Sequence, residues 1–282
     1  MNYHVPVLID EVMGGLLVQP GKRYIDATYG GGGYTKEIVK NGGTVLGIDT
    51  DPDAIGQTLP DTTGKVRIAQ GNFRDIEEIG KTYGFTGIEG IVFDLGVSSH
   101  QLDTKDRGFS YRFDDAPLDM RFSKTGRSAR EIVNSLSEQE LKEIFLTYGE
   151  EGTAGEIARE IVHSRSAKPL RTTKDLFLII ERVNRGKQTF NVASKIFQAL
   201  RIAVNDELDA LSEGLKGAEH LLQKGGRLVV VSFHSLEDRI VKRTMKNNSW
   251  QMLTKDPITA GQRERSENSR SRSAKLRIAE KI

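Results

Sequence analysis

Cysteine is absent from this chain of 282 residues, which excludes disulfides, thiolate nucleophiles and cysteine-based zinc sites and fits a reducing compartment such as the cytosol. Long apolar runs are missing too. No stretch approaches the roughly 20 residues needed to cross a bilayer, and the apolar start of the chain is interrupted by Asp10 and Glu11, unlike a signal peptide. A cytoplasmic protein with no membrane attachment is the expectation. Nor is there an excess of one charge: the formal net charge of +2 does not by itself forecast a nucleic-acid partner. What is present suffices for a packed core, with 37% hydrophobic and 28% charged residues, a balance that excludes wholesale disorder.

The length admits one large α/β domain carrying a second lobe. Over the first hundred residues, short β-rich runs alternate with helix-like stretches, the pattern of a parallel sheet with crossover helices. Strands are predicted at 23–27, 44–48, 66–69 and 90–93. Each ends in a polar or Gly-rich turn, at 28–34, 49–53, 70–73 and 94–99, and ligands of open α/β sheets bind outside such carboxyl ends. From 102 to 193 helical periodicity replaces the strands. Ser137 to Glu140 reads as a capping box ahead of Leu141, Ile144, Phe145 and Tyr148, and Thr172 precedes Leu176, Ile179, Ile180 and Val183. One long helical pattern then runs from Ile196 to Leu211, and strand character resumes at 227–231. The expected fold is therefore α/β, a mostly parallel Rossmann-like sheet formed by 1–101 and 194–282, with 102–193 inserted as a helical domain.

The first turn reads Asp26-Ala27-Thr28-Tyr29-Gly30-Gly31-Gly32-Gly33-Tyr34. Glycines there permit positive φ and close approach of a ligand, and a helix start near Thr35 aims free N–H groups at the same place. Counting Gly-x-Gly-x-x-Gly from Gly30 and Gly32 puts Thr35 at the third position, which disfavours a nicotinamide site. The second strand ends in Asp49, where a carboxylate can accept both hydrogen bonds of a ribose diol; Asp51 and Asp53 behind it suit helix caps. Asp94 emerges from the apolar run Ile91-Val92-Phe93 and must be hydrogen-bonded to turn backbone or aimed at a ligand. His100, His163 and His220 lack metal-ligand spacing. His234 follows a strand end and has the placement of a site residue, while Ser235, with Asp238 three residues on, suits a helix N-cap. Residues 262–282 carry seven basic against three acidic side chains, either a solvated flexible tail or a phosphate-binding segment.

Several longer motifs stand in order: Asp94-Leu95-Gly96-Val97-Ser98-Ser99, Gln101-Leu102-Asp103, Arg107-Gly108-Phe109-Ser110, Pro117-Leu118-Asp119-Met120-Arg121, Tyr148-Gly149-Glu150-Glu151, Phe197-Gln198-Ala199-Leu200-Arg201-Ile202 and Ser232-Phe233-His234-Ser235-Leu236-Glu237-Asp238-Arg239. With them the chain resembles the RsmH (MraW) family of small-subunit rRNA methyltransferases, from His4-Val5-Pro6-Val7-Leu8 to Arg272-Ser273-Ala274-Lys275-Leu276-Arg277. The resemblance implies a class I methyltransferase fold, S-adenosyl-L-methionine as cofactor, and methylation of the N4 amine of a cytosine in the decoding region, at the P site of 16S rRNA. The implied substrate is rRNA in an assembled or nearly assembled 30S subunit. The oligomeric state stays open, a homodimer included. The resemblance implies cofactor contacts at Gly32, Gly33, Tyr34, Asp49, Phe73, Asp94 and Gln101, and a helical insertion that helps hold the RNA.

Three departures from the family pattern stand out: Tyr34 replaces a usual histidine, Thr50 a common arginine, and Asn191-Val192-Ala193-Ser194-Lys195 the usual His-Pro-Ala-Thr-Arg. For the chemical step, Asp94, Ser98 and Ser99 are the candidate acceptors beside an amine that becomes positive during methylation. Phe109, Tyr111 and Phe113, interleaved with Arg107 and Arg112, are candidates for stacking on the base or for core packing. Other readings remain: an RNA-binding assembly factor without turnover, a methyltransferase acting on DNA or tRNA, and, more remotely, a nicotinamide dehydrogenase.

Overall fold

The computed structural model describes residues 6–56 and 64–282; His4 and Val5 of the first motif lie outside them. The chain divides into two compact units, one of Met1–Gly96 with Leu208–Ile282 and one of Val97–Glu207.

In the first unit, α1 (Ile9–Leu16), β1 (Arg23–Asp26), α2 (Gly33–Lys40), β2 (Thr44–Asp49), α3 (Pro52–Ile55), β3 (Val66–Gln70), α4 (Ile76–Thr82) and β4 (Ile88–Asp94) follow in order. The strands agree with the predicted ones to within two residues at each end. Buried parallel strands are apolar on both faces, and here successive residues separate cleanly. Ile25, Leu46, Ile91 and Phe93 enter one core, while Tyr24, Val45 and Val92 enter the other with Val12 and Ile38. The sheet order β3-β2-β1-β4 reverses direction between β1 and β4, creating a switch point at their carboxyl ends.

The second unit contains α5 (Ser99–Asp103), α6 (Ala129–Ser135), α7 (Glu138–Gly149), α8 (Ala154–Ala167), α9 (Thr173–Asn184) and α10 (Thr189–Asn205). Capping boxes start α5 at Ser98, α6 at Ser128, α7 at Ser137 and α9 at Thr172. This unit runs from 97 to 207, where sequence periodicity suggested 102–193. Its extra length follows from α10, whose buried Val192, Ala193, Ile196, Phe197 and Leu200 all pack in the helical core with Leu141, Phe145 and Ile180. The single long helix expected through Leu211 is two helices, broken at Asp206, whose φ is 52°.

Chain residues after 207 return to the first unit as α11 (Glu207–Leu221), β5 (Leu222–Ser232), α12 (Ser235–Thr244), β6 (Trp250–Met252), α13 (Gln262–Glu267) and β7 (Lys275–Lys281). β5 lies parallel to β4, and β7 inserts antiparallel between β5 and β6. The basic C-terminal segment is therefore not a flexible tail. Leu276 and Ile278 are core residues, and Arg277, 3% exposed, holds Asp238 through two hydrogen bonds of 2.6 and 3.2 Å. Among the described residues, no helix is long and apolar enough to cross a membrane.

Candidate active site

The ends of β1, β2 and β4 each carry an aspartate, and parallel pairing places Asp26, Asp49 and Asp94 along one edge of the sheet. The Gly-rich turn lies between β1 and α2. Gly30 (φ 52°) and Gly32 (φ 69°) take left-handed conformations, and Gly32 caps α2 with no side chain in the way. Gly33 serves a close approach instead: a Cβ there would lie 2.3 Å from Cγ of Pro6.

Asp26 is fully buried and holds this turn, accepting hydrogen bonds from the Thr35 hydroxyl at 2.7 Å and the Thr35 N–H at 3.2 Å. Burial raises its pKa to about 6, against those hydrogen bonds. Thr28 ties two turns together, its Oγ1 accepting the Asp94 N–H at 2.7 Å. Thr50 does the same one turn further on, donating to the Gly71 carbonyl at 3.1 Å.

Asp49 is held on both oxygens, Oδ2 by the Gly30 N–H at 2.7 Å and Oδ1 by the Asp51 N–H at 2.8 Å. Each oxygen keeps further lone pairs for a diol. Burial raises this carboxyl to about 6 as well, against the two backbone bonds. Asp51 caps α3 through the Asp53 N–H. The Tyr34 side chain is buried and donates from its hydroxyl to the Val7 carbonyl at 2.6 Å, so only its backbone faces the turn. Phe73 follows β3, half-buried, with its ring edge-on to Phe93 at 5.7 Å.

Asp94 is surrounded by charge. Burial raises its carboxyl to about 6; the positive charge of Arg270 opposes this and the negative charge of Glu237 adds to it. The Arg270 guanidinium lies 3.9 Å from Oδ2 of Asp94 and over the Phe233 ring, 5.1 Å from its centroid. The N-cap of α12 is His234, not the expected Ser235: its Nδ1 faces the Glu237 N–H at 3.5 Å, while Oε2 of Glu237 accepts the Phe233 N–H at 2.7 Å. The longer reach of imidazole, with Glu237 returning to the cap backbone, explains the one-residue shift. Sequence reasoning did not connect Arg270 or Glu237 with Asp94. Arg270 sits in a run that reads as surface charge, and nothing local distinguishes it from Arg272.

The remaining predicted residues belong to the second unit. Ser98 and Gln101 form a reciprocal cap, the Ser98 N–H donating to Oε1 of Gln101 at 2.9 Å and the Gln101 N–H to Oγ of Ser98 at 3.1 Å. Ser99 opens α5. Of the aromatic candidates, Phe109 is buried and stacks on Phe122 at 5.4 Å. Phe113 is half-buried. Tyr111 stacks on Phe177 at 5.4 Å, with Phe190 and Phe197 beside it. Phe190 is 69% exposed.

The family model described as "MraW methylase family" matches residues 1–282. The chain belongs to that family. It is 48% identical over 280 residues to a protein of Deinococcus radiodurans named ribosomal RNA small subunit methyltransferase H, covering 99% of this chain and 89% of that one. Proteins of the same name from Deinococcus deserti and Thermomicrobium roseum are 46% and 42% identical, each covering 99% of this chain, and 93% and 94% of their own lengths. An rRNA methylase structure from Streptococcus thermophilus overlaps 99% of this chain and 98% of its own, with a TM-score of 0.44 at 12% identity, a likeness too loose to bear on the chemistry. For a methylase of this family the donor is S-adenosylmethionine, and the Asp49 end of the sheet suits its ribose: an acceptor-only carboxylate, pre-oriented by two backbone donors.

Proposed function

We propose that this protein methylates the N4 amine of a cytosine in the decoding region, at the P site, of small-subunit rRNA. The substrate would be an assembled or nearly assembled subunit in the cytoplasm. The observation that carries the reading is the pairing of a backbone-held carboxylate suited to a ribose diol, Asp49, with a second, charge-flanked carboxylate, Asp94, at the sheet's carboxyl edge in a chain of the MraW methylase family.

S-adenosylmethionine supplies an electrophilic methyl group on a sulfonium. Asp49 would receive its ribose hydroxyls, and the backbone of Gly32, Gly33 and Tyr34 with the ring of Phe73 would hold the rest of it. Cytosine's amine is a poor nucleophile because its lone pair is delocalised into the ring. As that amine takes the methyl group it would turn positive, and its proton would pass to the Asp94 carboxylate. Asp94, ionised above about 6, accepts from that amine, a contact strongest in the transition state. Ser98 and Ser99 are further acceptor candidates and Gln101 a further cofactor contact, Ser98 and Gln101 already sharing the cap of α5.

RNA is assigned to the helical unit. Tyr111, Phe177, Phe190 and Phe197 form an aromatic cluster with one exposed face, and exposed aromatic rings stack on unpaired bases. Beside it a cavity of about 310 Å³ is lined by Tyr111, Arg112, Phe197, Gln198 and Arg201 among others. The test offers small subunits, naked rRNA, tRNA and DNA with donor labelled in its methyl group, and locates the label by mass spectrometry. Label on one rRNA cytosine, with subunits preferred over naked RNA, is expected. Label on tRNA or DNA, or none on rRNA, rejects the proposal.

A further inference from the structure

We infer that Arg270, delivered by the segment between α13 and β7, is a positioning residue that keeps Asp94 ionised for the reacting amine. The inference rests on the acceptor role proposed for Asp94.

The geometry sets Arg270 apart from the surrounding basic run. Its side chain is 13% exposed, that of Asp94 6%, and they lie 3.9 Å apart. The Phe233 ring beneath the guanidinium gives the cation a second attractive contact. Arg272, two residues on, is exposed and donates to the Arg265 carbonyl. The backbone carrying Arg270 is equally well held. Oδ1 of Asn268 accepts the Arg270 N–H at 3.2 Å, and the hydroxyl of fully buried Ser271 donates to the Asn268 carbonyl at 2.8 Å. α13, just before, is tied to the chain start through Oε1 of Glu264, which accepts the Leu8 N–H at 2.8 Å. β7, just after, is bonded on both edges.

The charged and titratable groups facing Asp94 come from four directions. Asp26 on β1, Tyr34 on α2 and Glu237 on α12, beside His234, offer negative charge or neutral groups; Arg270 is the opposing cation. Burial and two neighbouring carboxylates favour the protonated acid, in which one oxygen has become a donor and cannot accept from the amine. A cation at this distance shifts the balance back. The wild-type rate should therefore fall below a pH of about 6, and loss of the cation should move that limb upward, because Asp94 then needs higher pH to ionise.

The experiment is single-turnover methylation between pH 5 and 9.5 at saturating donor and small subunits, for wild type, Arg270→Gln, Arg270→Lys and Asp94→Asn, with thermal melts to confirm folding. Arg270→Gln should raise the acid limb by about one unit or more and approach the wild-type rate at high pH, within about threefold. Arg270→Lys keeps the charge but not the guanidinium over Phe233, so its limb should lie between those of wild type and Arg270→Gln. A limb that stays put in Arg270→Gln, or a loss by the same factor at every pH, overturns the inference. If Arg270→Gln does not fold, a uniform loss in Arg270→Lys overturns it equally. Asp94→Asn separates the two ideas. A rate within about threefold of wild type there defeats the acceptor reading itself, whereas a slow Asp94→Asn beside an unmoved Arg270→Gln limb defeats only the role of Arg270.

Discussion

Asp49, Asp26 and Asp94 end three neighbouring strands, yet their surroundings give them different work. Asp26 faces its own turn and is spent on Thr35. Asp49 is partly exposed and held by two backbone N–H groups, so its orientation is settled before any ligand arrives. On the proposed ribose role, Asp49→Ala removes two charge-assisted acceptors and should weaken S-adenosylmethionine binding by about 1.5–3 kcal/mol, roughly a ten- to hundredfold rise in Kd. Calorimetry checks this, and an unchanged Kd removes Asp49 from the cofactor site. The same residues mark what could be read in advance. Asp49 and Asp94 are conspicuous because a carboxylate at the end of an apolar run needs a reason. Arg270 was hidden because its reason is a neighbour 176 positions away in sequence.

Among the elements, β1 to β4 were legible because strands buried on both faces leave continuous apolar runs. The helical lobe was legible from its period and capping boxes. β7 was not, since Lys275, Arg277 and Lys281 dominate its composition. The period-two signal was nonetheless there in Leu276 and Ile278, masked because Arg277 is neutralised by Asp238 rather than by water. That pair ties the strand to α12, and Asp238 is held below the usual carboxylate range, Arg277 and Lys275 outweighing the effect of burial. Removing one partner of a buried pair leaves the other charge uncompensated, so Arg277→Ala should cost about 3–5 kcal/mol. Arg277→Ala with Asp238→Ala should cost less than the sum of the single changes. Urea melts of the three variants decide it, and strict additivity would show that the pair does not hold the strand.

At the scale of the whole molecule, the carboxylates that suit the site work against the stability of the fold. Asp26, Asp49 and Asp94 each have a folded pKa of about 6, raised above 3.8 by burial first. A carboxyl whose pKa is raised on folding binds more protons in the native state than in the unfolded chain, so stability falls as pH rises through the window from about 4 to about 6. The ordinary case is the reverse and is present too. Asp119, Glu151, Asp175 and Asp238 sit below their usual values through hydrogen bonds and nearby cations, contributing stability that is lost as pH drops through their lowered pKa. The two groups together predict a maximum near pH 4 to 5, below the usual range for a globular protein, with a decline toward neutrality. Asp26→Asn isolates one share of that decline. Asp26 is fully buried and its shift corresponds to about 3 kcal/mol between pH 4 and 7, so the variant should flatten the profile by up to that amount, whatever it does to stability at pH 4. Urea unfolding at pH 4.5, 5.5 and 7.5 measures the slope directly. Wild-type stability that climbs steadily from pH 4 to 7, or a slope unchanged in Asp26→Asn, would mean that these carboxyls are ionised at little cost. The conflict between an ionised cleft and a stable fold would then vanish, and with it the need for a cation beside Asp94.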